Sequence, residues 1–288
     1  MAKTFIAILL VIASVQALPD LARVRGFPWL RDLLEEAHAR RSGLAGVFAV
    51  PVLLVALTAL IQHLLHGVWF GLPEFAFMAL VLFACWGPRD LDADIESVLK
   101  APDSERRRVA AQALNADSGL GELEYSAPAL VEAGFRAALS RHFGVLFWFV
   151  VLGPVGAIGY RLVQLLARSP GFRETTGSAA ETLERTARVL DWAPAHLMAW
   201  SVAVVSDFDA VARSWRDYHA AHGRGWFTLD LGFLAVIARA GVDADVVAED
   251  GSTADATVEL ADARVILRRV MLAWLAVIAI VVIGGWAG

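Results

Sequence analysis

Two polar side chains sit inside an apolar run where lipid would not tolerate them. Arg161 and Gln164 interrupt the stretch from Phe143 to Arg168, and Gly153, Ala157, Arg161 and Gln164 recur at steps of four, four and three. That spacing puts them on one face of a helix, small at one end and polar at the other. Small residues allow another helix to approach closely, while an arginine within a membrane segment must find an interior, a watery cavity or a carboxylate. Two readings follow and the spacing supports both: an arginine that binds an anionic ligand, or a structural ion pair or snorkelling side chain. Asp191, at the start of the next apolar run, is the candidate partner. His63 and His66 lie three apart, as do His219 and His222. Without an acidic third ligand at fixed spacing they read as interfacial histidines, so no metal site is expected. The glycines at 153, 156 and 159 follow no strand and are not a nucleotide loop.

The elements that hold these residues are helical and membrane-bound. Of 288 residues, 58% are hydrophobic and only 19% charged, with mean hydropathy +0.57. A soluble domain has about 25% charged residues. The net charge of −5 offers no basic field for nucleic acid, and the single Cys85 cannot close an intrachain disulfide. The expected fold is an all-α, polytopic integral membrane protein with amphipathic peripheral helices and about four to six membrane segments. Residues 1–86 form N-terminal membrane segments: a short first segment over 4–18, an amphipathic helix over 27–42, and an apolar helical hairpin over 44–86. The first segment resembles a secretory signal in its Lys3 and short apolar core, but the further spans favour a membrane segment. Residues 87–142 form a polar helical segment in which Asp103 or Ser104 caps a helix. Residues 143–206 are a central membrane region, and whether 189–206 crosses fully stays open. A polar or amphipathic segment over 207–264 leads to a terminal membrane helix over 265–288.

Lysine and arginine counts orient the chain. The turn at 63–68 has none, residues 87–142 have seven, and 168–188 have four. Basic residues collect in the cytoplasm, so the turn faces outward and 87–142 inward. If 143–168 crosses once, the basic loop 168–188 lands on the wrong side.

Phe147-Trp148, Gly153-Pro154-Val155-Gly156-Ala157, Tyr160-Arg161 and the run Val189-Leu190-Asp191-Trp192-Ala193-Pro194-Ala195-His196-Leu197 resemble the AmpE branch of the CobD/CbiB membrane superfamily. The specific motifs lie between residues 131 and 197. The resemblance implies a multi-pass protein of the bacterial inner membrane. In the AmpE branch it implies a regulator linked to β-lactamase induction, antibiotic resistance and cell-wall recycling. In the CobD/CbiB branch it implies an ATP-dependent synthase joining an aminopropanol moiety to cobyric acid through an amide.

Departures from the synthase pattern favour the first branch. Polar residues expected there fall on Arg136, Ala137, Ser140, Gln164, Ala167, Ala187 and Arg188. Glu132, Tyr160, Arg161, Asp191 and Trp192 remain. The expectation is therefore a non-enzymatic AmpE-like membrane sensor with no catalytic residues. Its ligand-binding candidates are Glu132, Tyr160, Arg161, Gln164, Asp191, Trp192 and His196. Its surroundings would be membrane lipid and its ligand small, anionic or cell-wall-derived; the residues specify no cofactor. The alternatives are a divergent amide-forming synthase of cobalamin biosynthesis and a small-molecule transporter.

Overall fold

The computed structural model describes residues 2–17, 36, 44–87, 89–116, 121–168, 178–223, 228–247 and 256–284. The amphipathic helix expected over 27–42 lies outside these residues apart from Glu36. Every regular element among the described residues is helical. Among the described residues, four helical stretches are long and apolar enough to cross a membrane: Phe48–Leu65, Val68–Cys85, Ala127–Arg168 and Ala256–Ile283. The chain divides into two compact units, one of Met1–Asp90, Ser140–Leu190 and Ile278–Gly288, the other of Leu91–Leu139 and Asp191–Val277.

In the first unit, α1 (Ala2–Ala17) and α2 (Leu44–Leu65) are followed by a single-turn element, Val68–Gly71, and α3 (Leu72–Cys85). Pro73 sits in the first turn of α3, where its missing N–H has no helical partner to lose. α1 packs on α3 through Ala7, Ile8 and Val11, all essentially inaccessible. Its Lys3 reaches Glu74 at 3.2 Å, and His66 approaches the other oxygen of the same carboxylate at 3.1 Å. Gly71 has φ +78°, and a Cβ there would overlap Lys3 Nζ. Trp69 and Phe70 hold left-handed backbone angles at the exposed tip of the turn.

The opening stretch of the sequence is α7 (Gly144–Arg168), and it is not a straight rod. At Gly153 the backbone takes φ +67° and ψ −152°, a conformation open essentially to glycine alone. Pro154 follows with no N–H to bond backward. Two close approaches show how far the chain turns. A Cβ on Gly144 would overlap Tyr160 Cζ and Oη, and one on Gly156 would overlap the Trp148 carbonyl oxygen. In a continuous helix residues 144 and 160 would lie ~24 Å apart. The two arms, Gly144–Leu152 and Pro154–Arg168, therefore fold back on each other as a helical hairpin. Its tip meets the side chain of Gln62, and Gly159 meets Val55. Leu162 and Leu166 pack with Leu183, Phe48, Leu54 and Val55. The second arm thus runs antiparallel to α2, and Arg168 returns to the end of the hairpin from which Gly144 departs.

That reversal removes the conflict in the charge pattern. With α7 counted as two arms, residues 142 and 168 emerge on one side. The hairpin tip lies near Gln62, next to the uncharged 63–68 turn. Arg141 and Arg168, the basic residues that flank the hairpin, then fall on one side, in keeping with the positive-inside rule.

The second unit contains α4 (Leu91–Lys100), α5 (Ser104–Asn115) and α6 (Ala127–Ala138). It also holds α8 (Ser178–Val205) from Asp191 onward, α9 (Phe208–His222), α10 (Phe233–Val247) and α11 (Ala256–Ile283) as far as Val277. α4 packs on α5, α9 on α10, and α10 on α6. Asp103 caps α5 by accepting from the Arg106 N–H at 2.7 Å. Asp207 caps α9 in the same way through the Ala210 N–H at 2.9 Å. Charges on α11 and α4 form a clamp, with Arg264 Nε 2.8 Å from Asp92 Oδ1 and 3.4 Å, through its Nη2, from Glu96; Arg268 bonds Asp92 Oδ2. Trp274 on α11 donates to Ser201 Oγ on α8 at 2.9 Å.

Candidate functional site

Three of the expected site residues lie on the second arm of the hairpin. Tyr160 and Gln164 are each 1% exposed, and Arg161 is partly buried. The ring of Tyr160 lies against the bare backbone of Gly144, which is why a glycine is needed at the start of the first arm. Just before that glycine the helix widens into a π-helical turn over Leu139–Phe143, a local distortion often met at functional sites. The turn carries Arg141, the largest fully buried side chain among the described residues, and His142, whose ring stacks on Trp86 with centroids 5.1 Å apart. Gly87, at φ +47°, brings the end of the α3 segment within 3.0 Å of the Arg141 Cβ if a side chain were built there. A guanidinium, an imidazole and a phenol are therefore carried on one hairpin and its entry turn.

Asp191, Trp192 and His196 lie on α8. Asp191 is 5% exposed, and burial of a carboxylate requires polar company. The His196 ring lies tilted against that of Trp192, with centroids 4.4 Å apart, and its Nδ1 lies 2.7 Å from the Trp192 carbonyl oxygen. A carbonyl only accepts, so Nδ1 carries the proton and Nε2 is the basic nitrogen of neutral His196. Around it stand Phe233 at 4.7 Å and Trp215 at 6.0 Å between ring centroids. Trp215 is stacked on Phe233 and donates its indole N–H to His219 Nε2 at 3.0 Å. The result is an aromatic wall with two oriented imidazoles. Glu132, on α6, meets Arg239 at 3.4 Å in a half-exposed ion pair.

The structure thus groups the expected residues as Tyr160, Arg161 and Gln164 in the first unit, and Glu132, Asp191, Trp192 and His196 in the second. Sequence reasoning missed Arg141, His142 and the Trp215–His219–Phe233 wall. Arg141 lies just ahead of an apolar run, and nothing in its neighbours' hydropathy marks it as buried. His219 was weighed only with His222, yet its partner is Trp215, four residues earlier on the same helix.

A further element ties the hairpin to α8. Trp148, on the first arm, donates its indole N–H to the carbonyl of Leu190 at 3.0 Å. Both residues belong to the motifs on which the family resemblance rests.

Comparison with known proteins adds the family. The family model described as CobD/Cbib protein matches residues 10–227. The cobalamin biosynthesis protein CobD of Stutzerimonas stutzeri (strain A1501) is 31% identical over 206 residues, covering 66% of this chain. The chain spans 65% of that relative's length. No solved structure matches. These findings overturn the AmpE-like regulator expected above, with its signalling and antibiotic-resistance roles. That expectation rested on the synthase pattern's polar residues being replaced at Arg136, Ala137, Ser140, Gln164, Ala167, Ala187 and Arg188. Yet the helices bury Arg141, Gln164 and Asp191, so the interior was not stripped of polar groups. A helical membrane chain whose matched region takes in the hairpin, Trp148 and the Asp191-Trp192 turn belongs to the CobD/CbiB family.

Proposed function

We propose that this protein works in the bacterial inner membrane as an amide-forming synthase of cobalamin biosynthesis, joining an aminopropanol moiety to a carboxyl group of cobyric acid. The observation that carries this reading is the family match over residues 10–227, which takes in Glu132, Tyr160, Arg161, Gln164, Asp191, Trp192 and His196. The name of the Stutzerimonas stutzeri relative supports the same pathway. The chemistry of the residues agrees. Amide formation brings together a carboxylate and an amine, and ATP-driven activation adds phosphate charge. Partly buried Arg161 suits an anionic group held away from bulk water. His196, with Nε2 as its basic nitrogen, suits acceptance of the proton that the amine gives up as it attacks the activated carboxyl carbon. The aromatic wall of Trp192, Trp215 and Phe233 suits a large, flat, largely apolar substrate.

The test is complementation of a bacterial strain lacking its own CobD protein. Cells carrying this chain should grow on cobyric acid with aminopropanol when growth requires cobalamin. Growth only when the amide product is supplied would overturn the proposal.

A further inference from the structure

We propose that Trp148 is a positioning residue whose indole replaces a backbone donor that Pro194 deletes. In an α-helix the carbonyl of residue i accepts from the N–H of residue i+4. Pro194 stands four residues after Leu190 inside α8 and has no N–H. The carbonyl of Leu190, a half-buried residue, therefore loses its helical partner. Trp148, 42 residues earlier in sequence, supplies the missing donor at 3.0 Å. A buried carbonyl without a donor is costly, whereas a filled one fixes the local bend of the helix.

Trp148 is itself held tightly enough to act as a fixed donor. Its carbonyl lies against Gly156 of the opposite arm, where any Cβ would overlap it. Phe147 packs edge-on beside its ring at 5.2 Å. The chain of causes runs from Gly156 through Trp148 to the Leu190 carbonyl. The next two residues of α8 are Asp191 and Trp192, so the latch fixes the rotation of the turn that bears them. That this turn belongs to the working site rests on the function proposed above; the latch itself does not.

A mutant cycle on the full-length protein tests the latch. The proteins are wild type, Trp148→Phe, Pro194→Ala and the double variant, compared by thermal midpoint in detergent and by support of growth on cobyric acid. Pro194→Ala gives Leu190 a helical N–H of its own. Trp148→Phe alone should lower the midpoint, and it should cut growth support on the order of tenfold well below that midpoint, where the protein is folded. In the Pro194→Ala background the same change should have little further effect. Equal losses in both backgrounds would overturn the latch, because the indole would then act by packing alone.

Replacing Trp148 by 3-benzothienylalanine keeps the two-ring shape and deletes only the N–H. It should behave as Trp148→Phe does, and wild-type behaviour would overturn the latch. If wild type itself fails to support growth on cobyric acid, the proposed function falls, and the thermal cycle still decides the latch. A midpoint cycle that closes as expected while growth is unchanged in Trp148→Phe would overturn the positioning role.

Discussion

Glycines at 144 and 156 show how single atoms set the shape of the candidate site. Each lies where a methyl group would strike another part of the hairpin, but what it strikes differs. At Gly144 the neighbour is the far end of the Tyr160 ring, which can swing away at the expense of its own packing. At Gly156 it is the backbone of Trp148, which cannot. Gly144→Ala should therefore cost about 1–3 kcal/mol and Gly156→Ala more than that, read as thermal or denaturant unfolding in detergent. A smaller loss at 156 than at 144 would mean the arms are not in contact as described. The charge clamp makes a second residue-scale prediction. Burial pushes the Asp92 carboxyl upward, but hydrogen bonds and charge from Arg264 and Arg268 outweigh it and hold the group below its ordinary value. A depressed carboxylate stabilises the fold above its unfolded value of about 4, and the contribution disappears as pH falls through the lower folded value. Wild type should thus exceed Asp92→Asn in thermal midpoint near pH 6, and the gap should close in acid below pH ~4. A gap independent of pH would rule out this ion pair as its source.

Secondary elements were the most legible level, and the hairpin marks where that legibility ended. Apolar runs over 44–65 and 69–86, the cap at Asp103 and the terminal helix can be read from residue order, because hydropathy and caps are local signals. The fold-back at Gly153 is not local. Both arms are apolar, so the hydropathy profile does not dip where the chain reverses. The reading of Gly153 as part of a smooth helical face with Ala157 and Arg161 is corrected by its backbone angles. A glycine followed by proline was visible, but membrane helices often tolerate such pairs without reversing. The Trp148–Leu190 bond was hidden for a related reason: a proline announces the lost donor but not the residue that replaces it. The element-scale prediction concerns sidedness. In a Cys85→Ala background, His142→Cys and Arg168→Cys should both react with a membrane-impermeant thiol reagent from the cytoplasmic face only. Labelling of the two from opposite faces would show a single crossing instead.

Across the whole molecule, composition settled the class, since a chain that is 58% hydrophobic and 19% charged has few soluble solutions. It did not settle the activity. The regulator reading weighed seven positions where the residues of the synthase pattern are replaced by others. It gave no weight to Arg141, whose burial cannot be read from the sequence. The family match ends at residue 227, so α10 and α11 lie beyond it. They are nonetheless part of the second unit's core, through Phe233, Ile237, Leu260 and Ile266. Arg239 and Arg264, which pair with Glu132 and Asp92, also come from this region.

The fold-back at Gly153 has a consequence for how the protein is made. The second arm has 15 residues, ~22 Å of helix, and the hydrocarbon core is ~30 Å thick. It also carries Arg161 and Gln164, so it is a poor candidate for entering lipid alone. Its partner arm emerges from the ribosome first and would have to wait beside the insertion machinery until Tyr160 can reach Gly144. The two arms must therefore enter the bilayer as one piece, and Arg161 and Gln164 never meet lipid unescorted.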